Sequence, residues 1–282
     1  TRLQISGNHV YEQSTGIYVY SAGDEANDGA VVSGNRVHDI SGTGIQVYYT
    51  DGGWVEDNEV WASGAGIGAQ SGQIRRNTVW ANTTGISGGS NTILDNIVYG
   101  NTTGISTNSS TVAGNRIYDN TTGVVDSSYS LVRNNLLWDN ATAARLGSYT
   151  AGDDTQGFVN NTIRQIGGSG VVAASGAINV RLRNNIFDVV DGTMISVAAD
   201  SEQGFSSDYN LFDGGGSLLI SWEGQVFTSL NDWRFETGND VHGTVQTVEF
   251  SDRLGADDQS GWSSQVVGSA VVVDDGDAGV VF

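Results

Sequence analysis

The chain contains no cysteine, no proline and no lysine, and only one methionine. Lacking cysteine, it has no disulfide, no thiolate metal site and no thiol nucleophile. Lacking lysine, it has no ammonium base, and its twelve basic residues are all arginine against 32 Asp and Glu, for a formal charge of −20. Such a surface repels nucleic acid and acidic polysaccharides and suits a salty or calcium-rich exterior, where self-repulsion is screened. No run is long and apolar enough to span a bilayer, and no signal peptide is recognisable. With Thr1 in place of a Met, the expectation is a mature product or an excised domain, extracellular or on a cell surface, with no direct membrane insertion.

What is present is a repeat. Four segments align without gaps: Asn77-Thr-Val-Trp-Ala-Asn-Thr-Thr-Gly-Ile86, Asn96-Ile-Val-Tyr-Gly-Asn-Thr-Thr-Gly-Ile105, Asn115-Arg-Ile-Tyr-Asp-Asn-Thr-Thr-Gly-Val124 and Asn135-Leu-Leu-Trp-Asp-Asn-Ala-Thr-Ala-Ala144, in steps of 19, 19 and 20 residues. A period this short is one turn of a solenoid that buries its apolar face only by stacking. The leading Asn recurs at 8, 35, 58, 77, 96, 115, 135, 161, 185 and 210, which makes about ten coils and about 45 Å of stack at the parallel-strand spacing.

Three apolar columns accompany it. Two residues after each Asn stand Val10, Val37, Val60, Val79, Val98, Ile117, Leu137, Ile163, Phe187 and Phe212. Three residues before stand Ile5, Val32, Val55, Ile74, Ile93, Val112, Val132, Phe158 and Leu182, failing at Ser207, and nine or ten after comes a third column that includes Ile86, Ile105 and Val124. Short β-branched runs broken by Gly, Asn and Ser favour strands over helices. Three strands per turn give a triangular coil with parallel pairing and right-handed crossovers, hence an all-β, right-handed parallel β-helix. The Asn column is expected to pass hydrogen bonds between coils while tolerating left-handed backbone angles. Gly85, Gly104 and Gly123 mark corners that a side chain would obstruct. The Asn-Thr-Thr sequons at Asn82, Asn101 and Asn120 read as turn chemistry, not glycosylation.

Coils grow only between the third column and the next Asn, at residues 21–29, 49–53, 147–157, 173–179 and 199–204, so the insertions emerge along one edge, the first place to seek a binding site. Residues 1–212 form the β-helix, and 213–282 are expected to cap it. Ser229 with Asp232 three residues on and Gly238 beyond predicts a short capped helix whose Leu230, Trp233 and Phe235 cover the open end of the core. Residues 265–282 read as one or two further strands. At the other end Leu3 and Ile5 already occupy core positions at the start of the sequence, which predicts that this end meets another domain, another copy or a further segment of the chain.

The segments Asp208-Tyr-Asn-Leu-Phe212, Trp222-Glu-Gly, Ser229-Leu-Asn-Asp-Trp233 and Thr237-Gly-Asn-Asp-Val-His242, with the repeated Gly-Asn-x-Val/Ile and Thr-Gly-Ile units, resemble the right-handed β-helix repeat modules of large multidomain bacterial surface and secreted proteins. The resemblance covers nearly the whole chain and implies fold. For activity it is uninformative, since the broader superfamily holds lyases, hydrolases, epimerases, adhesins and modules of no assigned function. Lys-dependent lyase chemistry is excluded by composition, and the Asp-Pro-His constellation of the fold's uronan epimerases by the lack of proline.

Candidate sites remain. Trp61, Trp80, Tyr99, Tyr118 and Trp138, extended by Tyr11 and His38, form an outward column that either stacks on sugar rings or, with so little room between coils, on itself. Asp24 and Asp28, and Asp275 and Asp277, cluster oxygen donors beside glycines and are candidates for calcium, the one cofactor the sequence offers. His9, His38 and His242 lie too far apart in sequence to indicate a zinc cluster; His9 and His38 belong to different columns on neighbouring coils. Acids in the edge loops are plentiful (Asp24, Glu25, Asp28, Asp51, Asp153, Asp154, Asp200, Glu202) but show no pairing that marks a glycosidase. The reading is a non-catalytic extracellular solenoid, acting as a rigid spacer, display or adhesive element among neighbouring domains or copies of a larger surface protein. The alternative is a carbohydrate-active enzyme or carbohydrate-binding module on an extracellular polysaccharide.

Overall fold

The computed structural model describes residues 3–20, 29–48, 52–215 and 218–248. The chain winds as a three-faced parallel solenoid. The first face is a ten-stranded sheet running from Gln4–Ser6 to Ser206–Asp208, each strand paired with its equivalent one coil away. The second and third faces join into one twenty-stranded sheet because Arg36–Tyr48 and Glu59–Gln70 pass round the corner between them without a break. The one irregularity in register between the paired strands falls there, between Ile40 and Thr43.

All three predicted columns point inward. From the second coil on, the column two after each Asn is fully buried from Val37 to Phe212, and Val32, Ile74, Val112, Phe158 and Leu182 are equally so in the column before it. The third column runs from Ile17 through Ile45, Ile67, Ile86, Ile105 and Val124 to Val171, Ile195 and Ile220. Each such side chain contributes roughly 1.5–3 kcal/mol by leaving water. A fourth inward column, beside the third, was not legible in the sequence because its middle members are small or polar: Val47, Ala69, Gly88, Thr107, Asp126 and Leu146.

The leading Asn residues form a continuous amide ladder. From Asn8 to Asn185, each side chain donates through Nδ2 to Oδ1 of the next, at 2.9–3.2 Å. The same Oδ1 accepts the backbone N–H of the preceding ladder residue, for instance Asn96 N to Asn115 Oδ1 at 2.9 Å. The second Nδ2 hydrogen goes to an inward-column carbonyl, as Asn77 to Val55 at 2.8 Å. Every buried amide donor of the ladder is thereby matched. A second, shorter ladder joins Asn82, Asn101, Asn120 and Asn140 at 3.0–3.1 Å. The three sequon asparagines are therefore buried with their amides engaged, and turn chemistry is what they do.

The backbone requires one adjustment to the expectation and bears out another part of it. The left-handed residue at the corner is the one before each ladder Asn, including Asp57, Arg76, Asp95, Asn134 and Tyr209, all with φ of 53–58°, and not the ladder Asn itself. The corner glycines are demanded by close approach between coils: a Cβ on Gly104 would stand 2.5 Å from the carbonyl oxygen of Gly123.

The predicted helix is Leu230–Thr237, capped by Ser229, whose side chain accepts the Asp232 N–H, and ended by Gly238 at φ 71°. Trp233 is fully buried and Leu230 nearly so, but Phe235 is 86% exposed and covers nothing. Two residues on from Trp233, it lies on the opposite side of the helix. Trp233 serves the ladder as well. Its Nε1 donates to Asp240 Oδ2 at 3.0 Å, and Asp240 Oδ1 accepts from Asn210, the last rung, at 2.8 Å. An acceptor-only carboxylate thus terminates a chain of amides that all donate in one direction. Residues 265–282 lie outside the described residues.

Two outcomes are expected. Replacing Asn115 by Ala strands two buried donors of Asn96 and should cost at least about 2 kcal/mol, while Asn8→Ala at the exposed end should cost under about 0.5 kcal/mol, both read from denaturant midpoints. Trp233→Ala should destabilise by about 3–5 kcal/mol, whereas Phe235→Ser should leave the midpoint unchanged.

Candidate functional site

The aromatic column lies on the second face with its rings stacked on one another. Tyr11, His38, Trp61, Trp80, Tyr99, Tyr118 and Trp138 follow at centroid separations of 4.2–5.8 Å and interplanar angles of 3–13°. The separations match the coil spacing of about 4.8 Å, so each ring face inside the stack is occupied by the next ring and no sugar enters between them. Trp61, Trp80, Tyr99, Tyr118 and Trp138 consequently present edges to solvent where they are accessible at all, and Trp138 is only 3% exposed. The column continues as Arg164, paired with Asp188 at 3.2 Å.

The third face carries a groove instead. Its outward columns run Tyr18, Gln46, Gly68, Ser87, Ser106, Val125 and, alongside, Tyr20 against Tyr48, then Gln70, Gly89 and Asn108. Small residues in the middle leave a depression of about 550 Å³ bordered by Tyr48, Gln70, Ser87, Gly89, Ser106 and Asn108. Every described residue lining it is uncharged, on a chain of net charge −20. At its upper end Tyr18 and Tyr20 stand 56% and 52% exposed, their rings parallel and 6.4 Å apart. In sequence, the insertions at 21–29 and 49–53 follow Tyr20 and Tyr48 directly. The loops at 147–157, 173–179 and 199–204 likewise fall between a third-face and a first-face strand.

Of the predicted calcium ligands, Asp24, Asp28, Asp275 and Asp277 lie outside the described residues. Two histidine contacts escaped the sequence reading. His9 and His38 do occupy different columns, yet as diagonal neighbours on adjacent coils they bring Nε2 to Nε2 at 2.7 Å. His242, 34 residues beyond Asp208, binds that carboxylate through Nδ1 and the backbone N–H, both at 2.8 Å, and stacks on Tyr209 at 4.6 Å. Burial alone would raise the Asp208 carboxyl; the bonds from His242 and Tyr209 outweigh it and hold it below its ordinary range. This contact fastens the segment after the helix to the last coil of the first face. Contacts between residues so distant in sequence follow from coil geometry and not from spacing along the chain.

Beneath the groove lies Asp126, 1% exposed. Burial raises its carboxyl against the lowering effect of the Ser130 and Tyr149 hydroxyls and the Ser128 N–H. Burial likewise raises Asp119, Asp139 and Asp240. A carboxyl raised in the folded chain penalises the native state fully above its folded pKa, and the penalty vanishes as pH falls toward the unfolded value of 3.8. Asp57, Asp153 and Asp208 are lowered, and their contribution is lost only below 3.8. The melting temperature should therefore rise as pH is lowered from 7 toward 4, and Asp126→Asn should raise it at pH 7 while flattening the slope; thermal melts across that range decide it.

Among solved structures, a complex of XylC with xylose is 12% identical, with a TM-score of 0.47, over 78% of this chain and 50% of that one. The A-module of the Azotobacter vinelandii mannuronan C-5 epimerase AlgE4 is 13% identical, with a TM-score of 0.31, over 88% of this chain and 89% of that one. The chain thus spans half the length of the XylC chain it matches. No curated protein matches it. A family model described as a right-handed β-helix region matches residues 1–125 and 105–212. Three parallel faces, an amide ladder and that match agree, and the chain belongs to the right-handed β-helix family.

Proposed function

We propose that the chain is a non-catalytic solenoid module, a rigid spacer and display element of a larger extracellular or cell-surface protein. The observation that carries this reading is continuity. Sheet pairing and the Asn8–Asn210 ladder run unbroken along the axis, and the aromatic stack along the first seven coils, so bending between coils must break several of these at once. The core is closed at one end by Trp233, whereas at the other Leu3 is 43% exposed and Ile5 and Val10 are only partly buried. A neighbouring domain or a second copy stacked there would bury them as the inner coils bury their equivalents.

The uncharged groove supports a second reading, adhesion to an extracellular polysaccharide. It crosses coils over about 19 Å, four steps of about 4.8 Å, and offers amide and hydroxyl groups below exposed tyrosines, the mix of apolar planes and hydrogen-bonding groups that sugar rings use. A protein this acidic selects neutral over acidic chains.

The test is a panel of neutral and uronate polysaccharides, with and without calcium, scored for binding and for turnover. No cleavage or epimerisation is expected. Any retention should be confined to neutral chains and fall at least tenfold in Tyr48→Ala. Turnover that is abolished by replacing Asp153 or Asp154 without unfolding would overturn the spacer reading.

A further inference from the structure

We infer that His9 and His38 form an open two-imidazole site for a divalent transition metal, with copper(II) preferred. The two rings project from the second face one coil apart, centroids 4.9 Å and planes 38° apart, with their Nε2 atoms 2.7 Å from each other. The His38 Nδ1 lies 2.7 Å from Asp39 Oδ2. A carboxylate on Nδ1 makes that nitrogen the protonated one and turns the Nε2 lone pair toward His9, the orientation that outer carboxylates impose on metal-binding imidazoles. Without metal, one proton on His9 Nε2 bridges the pair. A cation in its place takes both lone pairs, and the displaced proton passes through solvent to the His9 Nδ1, so that both imidazoles stay neutral.

Geometry and ligand type favour one metal. With metal–nitrogen bonds of about 2.0 Å, two ligands at a tetrahedral angle stand about 3.3 Å apart, and two cis ligands of a square plane about 2.8 Å apart. The resting 2.7 Å is a hydrogen-bond separation, so a metal requires the nitrogens to part and their lone pairs to turn to a common point, with the smaller displacement for the square plane of copper(II) and nickel(II), and copper binds nitrogen donors more tightly than nickel or zinc. The rings are held in place beforehand. His38 lies between Tyr11 at 5.5 Å and Trp61 at 4.3 Å, both nearly parallel to it, and its side chain is 16% exposed. Arg36, the cation beside His9, is directed away to Glu59 at 3.1 Å. His9 is exposed, so water or an added ligand would complete the coordination. Among the described residues no group of three or more His, Cys, Asp or Glu surrounds a common point, so the two imidazoles are the ligands that these residues offer.

The experiment uses the untagged chain, titrated separately with copper(II), nickel(II) and zinc(II). Trp61 fluorescence and the nitrogen hyperfine pattern of the copper electron paramagnetic resonance spectrum report the site. One equivalent of copper should bind, quench fluorescence and show two coupled nitrogens, with affinity falling from copper to nickel to zinc. His9→Gln, at an exposed position outside the stack, should weaken copper at least tenfold without altering the near-ultraviolet circular dichroism, and Asp39→Asn should weaken it about tenfold. Copper affinity and spectrum unchanged in His9→Gln would overturn the site. Zinc binding tighter than copper would overturn the square-planar assignment.

Discussion

The asparagine ladder is the interaction on which the rest depends. A parallel solenoid satisfies the backbone groups along its faces by pairing coils, but at each corner the chain turns and the ladder is interrupted. An Asn placed just after a left-handed residue fills that gap. Its oxygen takes the N–H of the coil before and its amide repeats the bond to the coil after, so a buried polar group becomes the element that fixes the register. Since an amide that donates forward must accept from behind, the ladder has a direction and needs an acceptor at its end. Asp240 is that acceptor, and the helix supplies Trp233 to hold it in place.

Packing follows from the same period. With register set at the corner, residues two after and three before the Asn can only face inward, and the residue three after only outward. Outward aromatics one coil apart are then brought to stacking distance whether or not any ligand is present, so the column from Tyr11 to Trp138 is a consequence of the repeat and stiffens the wall. Where the repeat substitutes glycine and serine on the third face, the same logic leaves a depression.

The columns, strand directions, cap and corner glycines were legible in the sequence because each is set by identity at a fixed offset from Asn. Asp240 as terminus was not, since it lies 30 residues from Asn210 with no repeat to relate them. The groove was not legible: Gly68, Ser87 and Ser106 have no signature of their own, and the depression they leave is bordered by Tyr48, which lies 20 residues or more away in sequence. The His9–His38 contact was obscured because columns describe straight neighbours, while long side chains also meet on the diagonal. Phe235 is apolar but lies two residues on from the buried Trp233, on the solvent side of the helix, which residue type alone does not reveal.

Hydrogen exchange of individual amides tests the ladder most directly. If it holds the coils together, the backbone N–H groups of Asn58, Asn77, Asn96, Asn115, Asn135 and Asn161 exchange only through global unfolding, at one common rate set by total stability, and Asp240→Ala accelerates them all. Exchange of those amides coil by coil, or as fast as that of exposed turns, would contradict it.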